Sequence, residues 1–105
     1  STTAVEDLAV GVPSSFALKQ NYPNPFNPST IISYQLSAVS DVELTIYNQL
    51  GQEIRTLVNA RKPAGTFQIE WNGRDRVGKQ VASGVYLYRL KAGSFVQVRK
   101  MVLLR

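Results

Sequence analysis

With no histidine and no cysteine among 105 residues, the chain lacks the commonest general base and the commonest soft nucleophile. Any acid–base chemistry therefore falls to carboxylates. Outside the first fifteen residues these are Asp41, Glu43, Glu53, Glu70 and Asp75, and only Asp41 and Glu43 stand at i and i+2, on one face of a strand. Glycoside hydrolysis needs two carboxylates roughly 5–10 Å apart across a cleft, one of them held protonated by burial. Asp41 and Glu43 could meet the distance, but Val42, Leu44 and Ile46 occupy the opposite face of the strand, so both carboxylates are expected to point to water. Ser83 has no base to activate it, and the expectation is that the domain is not an enzyme.

Calcium is the one metal compatible with such a composition, because hard oxygen ligands need neither His nor Cys. Asn72 and Asp75, with the backbone at Gly73 and Gly78, form the loop richest in oxygen ligands. Arg74 and Arg76 flank that single carboxylate and oppose a divalent cation. Asp75 and Gly78 also fit the first and fourth positions of a type I turn, so no metal or cofactor is expected. Trp71, Tyr86 and Tyr88 raise a third possibility, sugar stacking on exposed rings. Trp71 shares its face with Phe67 and Ile69 and reads as core, whereas Tyr86 and Tyr88 lie opposite Val85 and Leu87, so one of those two pairs must face outward.

These residues need a scaffold, and its period is that of strands. Two-residue alternation recurs at Ile32, Tyr34, Leu36, at Val42, Leu44, Ile46 and at Phe67, Ile69, Trp71, with no sustained helical spacing beyond Thr30. Turn-forming residues separate them at 48–51, 62–65, 72–78 and 92–94. The pattern predicts an all-β chain, an antiparallel sandwich or barrel of about seven strands, with residues 84–90 and 95–104 as the last hairpin. Leu57 falls out of phase with Ile54, Thr56 and Val58, Lys100 interrupts a Val96, Val98, Val102, Leu104 series, and Gly84 precedes an apolar run; each suggests a bulge or a strand that changes sheets. Residues 1–15 read as a linker or tail and residues 16–105 as the domain.

A chain of this length can fold unaided. No run approaches the roughly 18 apolar residues of a membrane span, and no basic-then-apolar leader opens the chain. If it is exported, a longer parent is expected to supply the signal. Charge is uneven: residues 1–54 hold one base and five acids, net −4, whereas residues 55–105 hold eleven bases and two acids, net +9. The basic half suits an anionic partner such as lipopolysaccharide, a membrane surface or an acidic receptor, or else it lines solvent faces and protects strand edges. No helix-turn-helix, zinc finger or aromatic-basic RNA motif is present, so nucleic acid is not expected.

Three of the five prolines, Pro23, Pro25 and Pro28, fall within six positions just before the first alternating run. They bias Tyr22, Asn24 and Asn27 to extended backbone, while Phe26 can pin the segment to a core and the Asn side chains can serve backbone groups the prolines leave unpaired. This Tyr22, Pro23, Asn24, Pro25, Phe26 segment is followed by Trp71, Asn72, Gly73, Arg74, Asp75, then Gly78, then Val81 to Leu90, then Arg99 to Arg105. In that order the motifs resemble the C-terminal sorting domain of the type IX secretion system (type A, the Por secretion tail), over about residues 16–105. Residues 73–90 are also similar to the immunoglobulin-like domain of flagellar hook-cap proteins.

The resemblance implies an immunoglobulin-like antiparallel β-sandwich, a non-catalytic domain at the end of a secreted or cell-surface protein of Bacteroidetes-type bacteria, passing the periplasm and outer membrane. Its implied partners are the type IX outer-membrane translocon, a separate sortase-like peptidase that cuts within the preceding linker, N-terminal cargo domains, and surface lipopolysaccharide. The residues carried over are Pro23, Asn24 and Pro25, then Gly84, Val85 and Tyr86, then Lys100, Met101, Val102 and Leu103. The terminal strand of residues 99–105 is expected to offer a receptor both a backbone edge and basic side chains. Two other readings stand beside it: a carbohydrate-binding module, and a structural immunoglobulin-like accessory module of a secreted enzyme.

Overall fold

A computed structural model describes residues 12–105. The expected linker lies outside the described residues for 1–11, and residues 12–15 belong to no strand. Seven strands follow: β1 (Ala17–Leu18), β2 (Thr30–Leu36), β3 (Ser40–Tyr47), β4 (Glu53–Lys62), β5 (Gly65–Trp71), β6 (Gly84–Ala92) and β7 (Phe95–Leu103). They form two antiparallel sheets, ordered β1-β2-β5 and β4-β3-β6-β7, and no helix occurs among the described residues. The chain is an all-β, immunoglobulin-like sandwich.

The alternating residues supply the inner faces. Ile32, Tyr34 and Leu36 from β2 meet Val42, Leu44 and Ile46 from β3, with Trp71, Tyr88, Leu90, Met101 and Leu103 completing a core from which water is excluded. Removing a core aromatic such as Trp71 or Phe26 would cost about 3–5 kcal/mol. The Trp71 ring sits 5.4 Å from Tyr86 and 5.8 Å from Phe26, and its Nε1–H donates to the Arg74 carbonyl at 2.9 Å, so the buried indole leaves no donor unpaired.

Of the three expected bulges, one forms. The β3–β4 register shifts between Leu44 and Thr45, whose partners are Val58 and Thr56, so Leu57 is the extra residue. The β6–β7 ladder instead runs unbroken from Gly84 opposite Leu103 to Ala92 opposite Phe95. Gly84 makes no bulge; its φ of 153° is a conformation that side-chain-bearing residues rarely adopt. Lys100 does not interrupt a core series, because Val96, Val98, Lys100 and Val102 share the outer face while Met101 and Leu103 point inward.

Candidate functional site

The sequence motifs converge on the far end of β7. Gly84, Val85 and Tyr86 pair with Leu103, Val102 and Met101 along one side of that strand. Along its other side runs the proline-rich lead-in, which leaves the first sheet after Tyr22 bridges Ile31 and crosses to the second, where Phe26 pairs in parallel with Leu103. The Phe26 N–H donates to the Val102 carbonyl and the Leu104 N–H to the Phe26 carbonyl, both at 3.0 Å. Asn24 Oδ1 accepts the Val102 N–H at 2.9 Å, and Gln20 Nε2 donates to the Lys100 carbonyl at 2.7 Å. The peptide bonds before Pro23, Pro25 and Pro28 are cis.

This corrects the expectation of a free backbone edge over residues 99–105. From Lys100 to Leu104 that edge is already filled by Gln20, Asn24 and Phe26. Two of the three terminal bases are also committed internally. Arg99 Nε donates to the Leu18 carbonyl at 2.5 Å, while Arg105 reaches the carbonyls of Val81 at 2.7 Å and Gly73 at 2.6 Å and its N–H donates to Ser83 Oγ at 2.8 Å. Lys100 remains: it lies exposed opposite Leu87, and its ammonium has no partner among the described residues.

The candidate residues therefore divide by direction. Pro23, Asn24, Pro25 and Lys100 are exposed, Gly84, Val85 and Val102 are half-buried, and Tyr86, Met101 and Leu103 are core. Beneath the lead-in lies a polar network that sequence reasoning did not single out. The Tyr88 hydroxyl donates to the Lys19 carbonyl at 2.7 Å and accepts the Asn21 N–H at 2.8 Å. Buried Asn21 donates through Nδ2 to Thr30 Oγ1 and the Pro23 carbonyl, and Thr30 Oγ1 donates to that same carbonyl at 2.8 Å. The sequence signal was an Asn two residues before a proline run, a residue type that serves loose backbone groups. Burial pushes the Tyr88 hydroxyl pKa above its ordinary 10.0, opposed by the Asn21 N–H bond and the Arg99 charge.

The other chemistry-bearing residues are occupied differently. Trp71, Tyr86 and Tyr88 all face inward at 7% exposure or less, so the aromatic strip that a sugar platform requires is absent among them; Val85 and Leu87 form the outward pair. Asp75 Oδ1 accepts the N–H groups of Val77 and Lys79, and the Gly78 N–H closes the turn onto the Asp75 carbonyl at 3.0 Å. Asp41 and Glu43 sit on the open outer face of β3, Asp41 paired with Arg61 at 3.1 Å and Glu43 lying 3.7 Å from Arg89.

The family model described as the FlgD Ig-like domain matches residues 24–94. No curated protein matches the chain significantly. Among solved structures, the chain is similar to dimeric latent PorU from Porphyromonas gingivalis, with TM-score 0.68, 17% identity, and coverage of 88% of this chain and 10% of that one. It is also similar to PorZ from the same organism, a bacterial surface component of the type IX secretion system, with TM-score 0.58, 22% identity and coverage of 86% and 11%. FlgD from P. aeruginosa gives TM-score 0.56, 19% identity and coverage of 70% and 58%. The chain thus spans about a tenth of the length of PorU and PorZ, and at these identities the likeness is one of fold.

Proposed function

Because this chain belongs to the FlgD Ig-like domain family, we propose that it is a binding module without catalysis of its own, a C-terminal sorting domain that takes a larger secreted protein through the type IX outer-membrane translocon. The observation that carries this reading is the meeting of three separated motifs, Pro23 to Pro25, Gly84 to Tyr86 and Lys100 to Leu103, around one strand end. A linear signal would not need them folded together. A shape-defined handle does, because a receptor can then read exposed groups held rigidly by paired backbone.

In this account the sandwich supplies stiffness, the lead-in closes the β7 edge so that the handle does not pair with stray strands, and exposed Lys100 is read by the receptor. A sortase-like peptidase then cuts within residues 1–15 and leaves cargo secreted or on the cell surface. The likeness to PorZ supports a type IX setting. A structural immunoglobulin-like accessory module is the second reading, favoured by the FlgD family match. Fusing residues 1–105 behind a signal peptide and a fluorescent reporter, in a bacterium with a working type IX system, tests the proposal. Export that depends on the domain supports sorting, and periplasmic retention of the folded fusion supports the accessory module.

A further inference from the structure

The outer face of β3, β6 and β7 carries an arginine with a buried donor that the fold does not satisfy. Arg89 stands between Thr45 on β3 and Val98 on β7. Its guanidinium carbon lies over the Tyr47 ring, 5.2 Å from the ring centre. Its Nε is buried with no hydrogen-bond partner among the described residues, and its nearest carboxylate, Glu43, stops at 3.7 Å from Nη2, beyond hydrogen-bonding distance. Arg74, Arg99 and Arg105, by contrast, all reach backbone carbonyls.

The surroundings are apolar and basic. Val96 and Val98, at i and i+2 on the outer face of β7, are 53% and 49% exposed, and Leu87, opposite Lys100, lies diagonal to Val98. Lys91, opposite Val96, adds a second exposed ammonium. Aliphatic side chains around a partly exposed guanidinium form the pattern of an interface core with a charged anchor.

We propose that this face docks a protein segment presenting a carboxylate flanked by aliphatic side chains, the carboxylate going to Arg89 and the aliphatics to Leu87, Val96 and Val98. Charge complementarity selects that occupant. Arg89, Lys91 and Lys100 outnumber Glu43 and Asp41 beside them and favour an anion. The exposed valines also need an aliphatic partner that a headgroup lacks. The proposal deepens the sorting reading and rests on it for its biological setting.

The test has two arms on the full chain. In the first, the peptide Thr-Val-Asp-Val-Thr and its Asn counterpart are titrated while amide signals and the Arg89 Nε–Hε signal are followed by NMR. Shifts confined to Leu87, Arg89, Val96 and Val98, with the Asn peptide or the Arg89→Gln variant binding about fivefold more weakly, are expected. Equal binding of both peptides, shifts elsewhere, or none at millimolar peptide overturns the proposal. So does Arg89-dependent binding to anionic vesicles in place of peptide, or a Val98-dependent dimer in sedimentation. In the second arm, Arg89→Gln and Val98→Thr enter the reporter fusion, with melting checked. Export lost at unchanged melting is the expected result. Normal export of both variants beside an exported parent overturns the face and leaves sorting standing, whereas retention of the parent with peptide binding intact strikes the sorting reading alone.

Discussion

The side chain of Asn24 accepts a hydrogen bond from the backbone N–H of Val102 at 2.9 Å, joining the proline-rich lead-in to the terminal strand across 78 positions of sequence. Asn24 thus supplies with its side chain the acceptor for the Val102 N–H, extending along β7 the two backbone bonds that Phe26 makes with Val102 and Leu104. Replacing it tests how much the closure of the β7 edge contributes. Asn24→Ala is expected to cost about 1 kcal/mol and to raise hydrogen exchange at the Val102 amide, whereas Asn24→Asp, which keeps the acceptor, restores most of the protection. Unchanged exchange at Val102 in the alanine variant would contradict this.

Tyr88 links the core to the same lead-in. Tyr88→Phe leaves the Lys19 carbonyl and the Asn21 N–H without their partner. The expected loss is about 1–3 kcal/mol in denaturant unfolding, because buried polar groups are left unpaired while the ring volume is kept.

Alkaline pH acts on this layer directly. Burial raises the hydroxyl pKa values of Tyr34, Tyr86 and Tyr88 above the ordinary 10.0, with the Arg105 charge opposing the shift at Tyr86 and the Asn21 N–H bond and Arg99 opposing it at Tyr88. Above pH 10 the unfolded chain therefore gives up protons that the folded one retains, and stability falls as pH rises. Their contribution is fully present below pH 10 and is lost as pH climbs through the raised values. Chemical unfolding at stepped pH, followed by circular dichroism beside tyrosinate absorbance, should show a flat midpoint to about pH 10 and a decline beyond it.

Gly73 and Gly84 make an instructive pair. A Cβ on Gly73, whose φ is 72°, would lie 2.9 Å from Arg105 Nη2 and 3.1 Å from the Pro28 carbonyl, whereas one on Gly84 would meet nothing within 4 Å. Gly73→Ala is expected to cost about 2–4 kcal/mol, since it adds displacement of the Arg105 clamp to backbone strain, and Gly84→Ala about 1–2 kcal/mol from strain alone. Thermal melts of both variants check the ordering.

Much of the sandwich was legible because burial alternates along β2 and, apart from buried Thr45, along β3, and the displaced Leu57 marked a real bulge. β7 misled because its inward positions include Gln97 and Arg99, which turn to the backbone of Leu18, while the apolar Val96 and Val98 face solvent. Hydrophobicity there does not report direction. In β6 both faces are apolar, so only the pairing of Tyr86 with buried Met101 decides that the tyrosines point inward. The clasp of lead-in on terminal strand was out of reach for a local reading, since its partners are far apart in sequence and meet through backbone atoms.

The most direct test of the sorting account is export of the reporter fusion in three forms: without the domain, with residues 1–105, and with the same residues carrying Lys100→Ala. Lys100 is exposed, so its substitution should leave melting within about 0.5 kcal/mol of the parent. The account predicts fluorescence at the surface or in the medium for the parent, retention without the domain, and reduced export for Lys100→Ala at unchanged stability. A folded parent fusion held in the periplasm like the domainless reporter would contradict it.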